Sequence, residues 1–149
     1  MIRPLVVLLF GVLLVDACGN DKGPPLKLSN VTVFAPLPGR AATVAYMEIE
    51  NHTAKPVTLD AVSSPAFGRA EFHETTIADG IASMRPLAAV VIEAGSQLKF
   101  APGGKHIMLI DPVKALLPGS HIQLELRYDS VSSLLIEAEV RTRLDDNDG

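Results

Sequence analysis

Cysteine is almost missing from this sequence: Cys18 is the only one in 149 residues. The rest of the chain therefore has no means of forming an internal disulfide, a thiolate nucleophile or a thiolate-bound metal. Basic charge is also short. Lys and Arg number 13 against 17 Asp and Glu, a net charge of -4, so phosphate has no general reason to bind and no nucleic-acid partner is expected. The apolar run Leu5 to Val15 is too short to span a bilayer as a helix. There is no long segment of 3.6-residue period, no G-x-S-x-G, no glycine-rich phosphate loop and no paired carboxylates in a shared context. No enzyme is expected.

What is present begins with a targeting signature. Arg3, the apolar run and Asp16-Ala17-Cys18 read as a signal peptide, and a lone cysteine directly after a small residue at its end resembles a bacterial lipobox. On that basis residues 1–17 form a lipoprotein signal peptide, Cys18 is acylated after cleavage, and residues 18–27 are anchor and polar tether. Ordinary cleavage nearby, or an uncleaved segment with Cys18 as a free thiol, are the alternatives. Hydrophobic residues make up 48% and charged residues 20%, a globular balance at a one-domain length. Without disulfides, that domain must be held by its core alone.

Beyond the tether, short apolar or alternating runs are punctuated by turn signals. The runs are Leu28–Phe34, Ala42–Glu50, Val57–Val62, Ala70–Ile77, Ile81–Arg85, Val90–Ile92, Gln97–Phe100, His106–Ile110, Ile122–Tyr128 and Leu134–Val140. Breaks such as Ala35-Pro36-Leu37-Pro38-Gly39, Asp79-Gly80 and Pro102-Gly103-Gly104 separate them. Many short strands at this spacing predict an all-β antiparallel sandwich over residues 28–142. A short helical turn at Pro112–Leu116 is allowed, and residues 143–149 form an acidic tail with nothing to bury.

Apart from Met1 the chain has three methionines, and two of them stand in a pattern with histidines. In His106-Ile107-Met108 a strand would project the imidazole and the thioether from one face. Taken alone, Met108 serves equally well as core filler and His106 as a surface residue. The second pair follows from Asp79-Gly80, a two-residue hairpin signal that sets a register. With that loop, Ala78 faces Ile81 and Thr75 faces Met84, so His73 becomes the diagonal neighbour of Met84, about 7 Å away at the backbone. Phe72 then points to the opposite, core face; a three-residue loop would reverse the parity. Two His–Met pairs suit copper(I), because thioether sulfur is a poor ligand for zinc, magnesium or calcium. A blue-copper centre and structural zinc are disfavoured by the lack of cysteine.

The four residues and their surroundings resemble a known family. His73, ten residues, Met84, twenty-one residues, His106, one residue and Met108 is similar to the His-x10-Met-x21-His-x-Met signature of the bacterial periplasmic copper(I) chaperones of the PCu(A)C type. Phe72-His73-Glu74, Asp79-Gly80-Ile81, Met84-Arg85-Pro86-Leu87, Lys105 through Leu109, Ala35-Pro36, Ala45-Tyr46-Met47 and Ser63-Ser64-Pro65 extend the likeness over residues 28–142. The resemblance implies a cupredoxin-like or immunoglobulin-like β-sandwich, a monomer, in the periplasm and lipid-anchored. It would carry copper(I) on His73, Met84, His106 and Met108 to a copper-receiving protein such as the dinuclear centre of cytochrome oxidase subunit II. The chain departs from the family in having Leu37 where tryptophan is common, Glu74 and Thr76 where further methionines occur, and no His- and Met-rich stretch at its end. Those departures bear on secondary or copper(II) sites. The rivals are a lipid-anchored adhesion or assembly module without metal, which would place His106 and Met108 on unrelated surfaces, and a copper storage or resistance protein. Met47 is expected in the core, and His52 and His121 on the surface.

Overall fold

The computed structural model describes residues 24–143, so Cys18, the signal segment and most of the acidic tail lie outside it. Ten strands follow one another: β1 (Leu26–Phe34), β2 (Ala42–Asn51), β3 (Val57–Ser63), β4 (Phe67–Ala78), β5 (Ile81–Leu87), β6 (Val90–Ile92), β7 (Gln97–Phe100), β8 (Lys105–Pro112), β9 (His121–Tyr128) and β10 (Ser132–Arg141). They hydrogen-bond in the order β5-β4-β8-β2-β1-β10-β9-β3-β6, with β7 paired to β2. The expected all-β sandwich is therefore present, and each of the ten runs became a strand.

Strand alternation builds the core. Along β2, buried residues recur at every second position and include Ala45, Met47 and Ile49. Leu124 and Leu126 of β9 and Ile136, Ala138 and Val140 of β10 do the same in the other layer. Phe72 meets Phe100 in a stacked pair with centroids 5.9 Å apart. Met47 is only 1% exposed, so it packs the core, as expected.

Two features differ from the sequence expectation. One strand pair is parallel: β1 beside β10, through Val33↔Val140 and Phe34↔Arg141. The cause is local. The register of β1 against β2 shifts between Ser29 and Thr32, where Asn30 adopts a left-handed φ of 53°, and such a bulge bends a strand. Both ends of β1 thus find partners, and the two layers are stitched along it. The helical turn allowed at Pro112–Leu116 does not form. β8 runs on to Pro112, and the Val113 amide donates to the Ala66 carbonyl at 2.9 Å rather than to a helical acceptor.

Candidate metal centre

β4 lies between β5 and β8, and this three-strand layer carries the candidate residues. The β4–β5 turn has Asp79 and Gly80 at φ 51° and 77°, the pair of left-handed conformations that a tight two-residue hairpin requires. The register that follows is Ala78↔Ile81, Thr75↔Met84 and His73↔Pro86, so His73 and Met84 are diagonal neighbours on one face. Across the other edge of β4, His73 stands opposite His106 and Glu71 opposite Met108. Residues paired across an antiparallel ladder share a face. His73, Met84, His106 and Met108 therefore project from the same side, while Phe72, Ile107 and Leu109 turn into the core.

Burial grades across the site. His106 is 5% exposed, the His73 side chain 15%, and Met84 on the outermost strand 52%. The two imidazoles lie with ring centroids 5.9 Å apart. His106 Nε2 comes within 3.3 Å of Met84 Sδ, and His106 Nδ1 lies 3.1 Å from the Gly104 carbonyl oxygen. Because a carbonyl only accepts, the second contact places the proton of a neutral ring on Nδ1. Nε2 then faces the methionine sulfur with a lone pair, and two electron-pair donors confront each other. His73 reaches a similar state by another route: its Nε2 contacts Glu71 Oε2 at 2.9 Å, and its Nδ1 is the one buried side-chain nitrogen or oxygen among the described residues without a hydrogen-bond partner. A buried, unsatisfied imidazole nitrogen on the same sheet face as the His106–Met84 contact fits a metal better than it fits packing. No group of three or more His, Cys, Asp or Glu side chains suited to a metal occurs among the described residues.

On the opposite face a row of charges ties the same three strands together. Glu74 pairs with Arg85 of β5 and with Lys105 of β8, the latter at 2.9 Å. The hydrogen bond from the Lys105 ammonium holds the Glu74 carboxyl below the usual carboxylate range, helped by the charge of Arg85 and opposed by partial desolvation. Arg85 thus has a partner within the sheet, although its side chain is largely exposed. The Gly104 carbonyl also accepts from the Thr75 amide at 3.0 Å, which joins the β7–β8 turn to β4 beside the site. His52 bonds to Glu50, and His121 is exposed at the start of β9; neither shares the site. Sequence reasoning missed Glu71 and the Gly104 carbonyl. Glu71 was within reach, since a residue two positions before His73 on a strand must share its face.

Fold and site together define a class: a β-sandwich binding module with two imidazoles and two thioethers on one open sheet face. Comparison with known proteins bears on the family and the fold. The family described as "Putative lipoprotein LpqE-like" matches residues 26–140, and the chain belongs to that family. A curated relative, "Putative lipoprotein Lxx21020" of Leifsonia xyli subsp. xyli, is 30% identical over 104 residues, 69% of this chain and 63% of its own. The chain spans 63% and 53% of the length of curated relatives that it matches. Among solved structures, the copper-bound PCuAC domain from PmoF2 is 27% identical, with a TM-score of 0.67 over 80% of this chain and 94% of that one. CuI-DR1885 from Deinococcus radiodurans is 25% identical, with a TM-score of 0.68 over 85% of each chain. The resemblance to PCu(A)C-type proteins and their cupredoxin-like sandwich is therefore met.

Proposed function

We propose that this protein is a copper(I) metallochaperone: it binds one copper(I) ion through His73, Met84, His106 and Met108 and passes it to a second copper protein. The observation that carries this is the approach of His106 Nε2 to Met84 Sδ at 3.3 Å, with the Nδ1 proton of His106 committed to the Gly104 carbonyl. Nitrogen and sulfur lone pairs converge there, and that donor set suits a soft, low-valent ion. The copper-bound and CuI-loaded relatives support the same cargo.

Release follows from the exposure gradient. Met84 stands on the edge strand with half its surface open, so an incoming ligand can displace its thioether first, before the more buried imidazoles let go. A binding site of this kind serves transfer and needs no catalysis, so the protein acts as a carrier and not as an enzyme. The lipoprotein names of the family and the relative, with the Cys18 signature, support a lipid-anchored protein outside the cytoplasm, on the membrane side of the periplasm. The dinuclear copper centre of cytochrome oxidase subunit II is the client that the resemblance favours.

Titration of the protein against a copper(I) chelator, with X-ray absorption of the product, tests this. One equivalent bound with mixed sulfur and nitrogen ligation is expected. No competition with the chelator, or a spectrum without sulfur, overturns it.

A further inference from the structure

The two histidines present different nitrogens, and different neighbours decide which. Glu71 precedes His73 by two residues on β4 and lies on its face, with Oε2 2.9 Å from Nε2. Arg69 holds Glu71 from the other side, Nη1 to Oε1 at 3.4 Å, and also pairs with Asp111 at 3.8 Å. A carboxylate only accepts, so the contact uses the Nε2–H of His73 and leaves the lone pair on Nδ1, the nitrogen that is buried without a partner. At His106 the arrangement is reversed: the Gly104 carbonyl takes Nδ1–H and the lone pair sits on Nε2.

We propose that Glu71 is a positioning residue that fixes the Nε2–H tautomer of His73, so that the site offers its metal Nδ1 of His73 and Nε2 of His106. The order of strands gives this asymmetry a reason. His73 stands on the central strand of the three, with Met84 and His106 on the flanking ones. Nδ1, bonded directly to Cγ, is the shorter arm and Nε2 the longer, so the central-strand imidazole and the flanking one would offer an ion their lone pairs at different reaches from the sheet. Ligating histidines are commonly oriented in this way by a carboxylate or carbonyl on the other ring nitrogen. The identity of the metal rests on the copper reading above; the tautomers do not.

Long-range nitrogen–proton NMR correlation on the metal-free full chain at pH ~8, where histidine rings are ordinarily neutral, reads the tautomers directly. His73 is expected mainly as Nε2–H and His106 as Nδ1–H; finding His73 as Nδ1–H overturns the proposal. Glu71→Ala should leave His73 a mixture of the two forms, while Glu71→Gln, whose amide oxygen still accepts, should keep Nε2–H. His106 serves as the internal check on folding, because its Gly104 contact does not involve Glu71. An unchanged His73 in Glu71→Ala also overturns the proposal. Copper(I) affinity should fall by about 10- to 100-fold in Glu71→Ala and recover in large part in Glu71→Gln. Undiminished affinity in His73→Ala would instead remove His73 from the ligand set and overturn the part of the proposal that concerns the metal, whatever the tautomers.

Discussion

The molecule contains two long hairpins that solve opposite problems. In β9–β10 alternate residues turn inward, with Ile122, Leu124, Leu126, Ile136, Ala138 and Val140 buried and Tyr128 and Leu134 partly so. In β4–β5 full burial ends at Phe72; past that point only Leu87, paired with Phe72, packs partly against the core, and Ile77, Ile81 and Met84 are more than half exposed. Their turns differ in the same sense. The β9–β10 turn puts Asp129 and Ser130 at positive φ without any glycine, and β3 supports it, since Asp129 exchanges hydrogen bonds with the Thr58 backbone and Asp60 accepts from the Ser130 amide. The β4–β5 turn has no such support and relies on Asp79-Gly80 and the Arg85–Glu74–Lys105 row. The first hairpin is held by the core; the outer end of the second is held by its turn, its charges and the pairing of β4 with β8.

The sharpest test of this contrast is in the core hairpin. Leu124→Ala empties a site that is 0% exposed and should cost about 2–5 kcal/mol of stability in denaturant unfolding, with the copper stoichiometry of the folded fraction unchanged. Met84→Leu should do the reverse. Leucine conserves volume at a half-exposed position, so stability should stay within about 0.5 kcal/mol. Copper(I) affinity should drop between ten- and a hundredfold, about 1.4–2.7 kcal/mol, in chelator competition. A large loss of melting temperature in Met84→Leu would show the methionine to be a packing residue.

Smaller effects probe what holds β4–β5. Gly80 has open space around its Cα and a φ of 77°, so Gly80→Val meets no clash but should lose about 1–2 kcal/mol to left-handed backbone strain. It should also weaken copper binding by loosening the Thr75↔Met84 register. The smallest effect concerns acid. The Glu74 carboxyl is held below its ordinary value of 4.5, so its contribution to stability is complete above that range and disappears as pH falls through the lowered value. Glu74→Gln should therefore flatten the melting temperature against pH between about 5 and 3, relative to the parent. Equal slopes would show that the charged row does not hold the strands.

How much of this could be read beforehand depended on distance along the chain. The β4–β5 register followed from two turn residues, because a short loop allows only one parity, and Phe72 went to the core by the same count. The His106–Met108 face followed from alternation alone. The meeting of β4 with β8 did not. His73 and His106 are separated by thirty-two residues of sequence, and no local signal fixes the pairing of strands that distant; it is settled by which apolar faces can be buried together. The spacing of the four ligands reached that knowledge only through family resemblance. The parallel β1–β10 contact was equally hidden, as was the bulge in β1 at Asn30, whose side chain bonds Glu48 of β2 at 3.0 Å.

Pro86 has a further consequence for the protein in a crowded compartment. It sits on the outermost strand directly across from His73, and a strand at a sheet margin exposes backbone donors and acceptors to any extended segment that passes. Proline removes one of those donors on the open side, and Arg85 beside it adds a charge that a second strand would have to bury. The margin that carries Met84 is thus poorly suited to templating. Copies of the protein can leave Met84 exposed without zipping their own edges into aggregates.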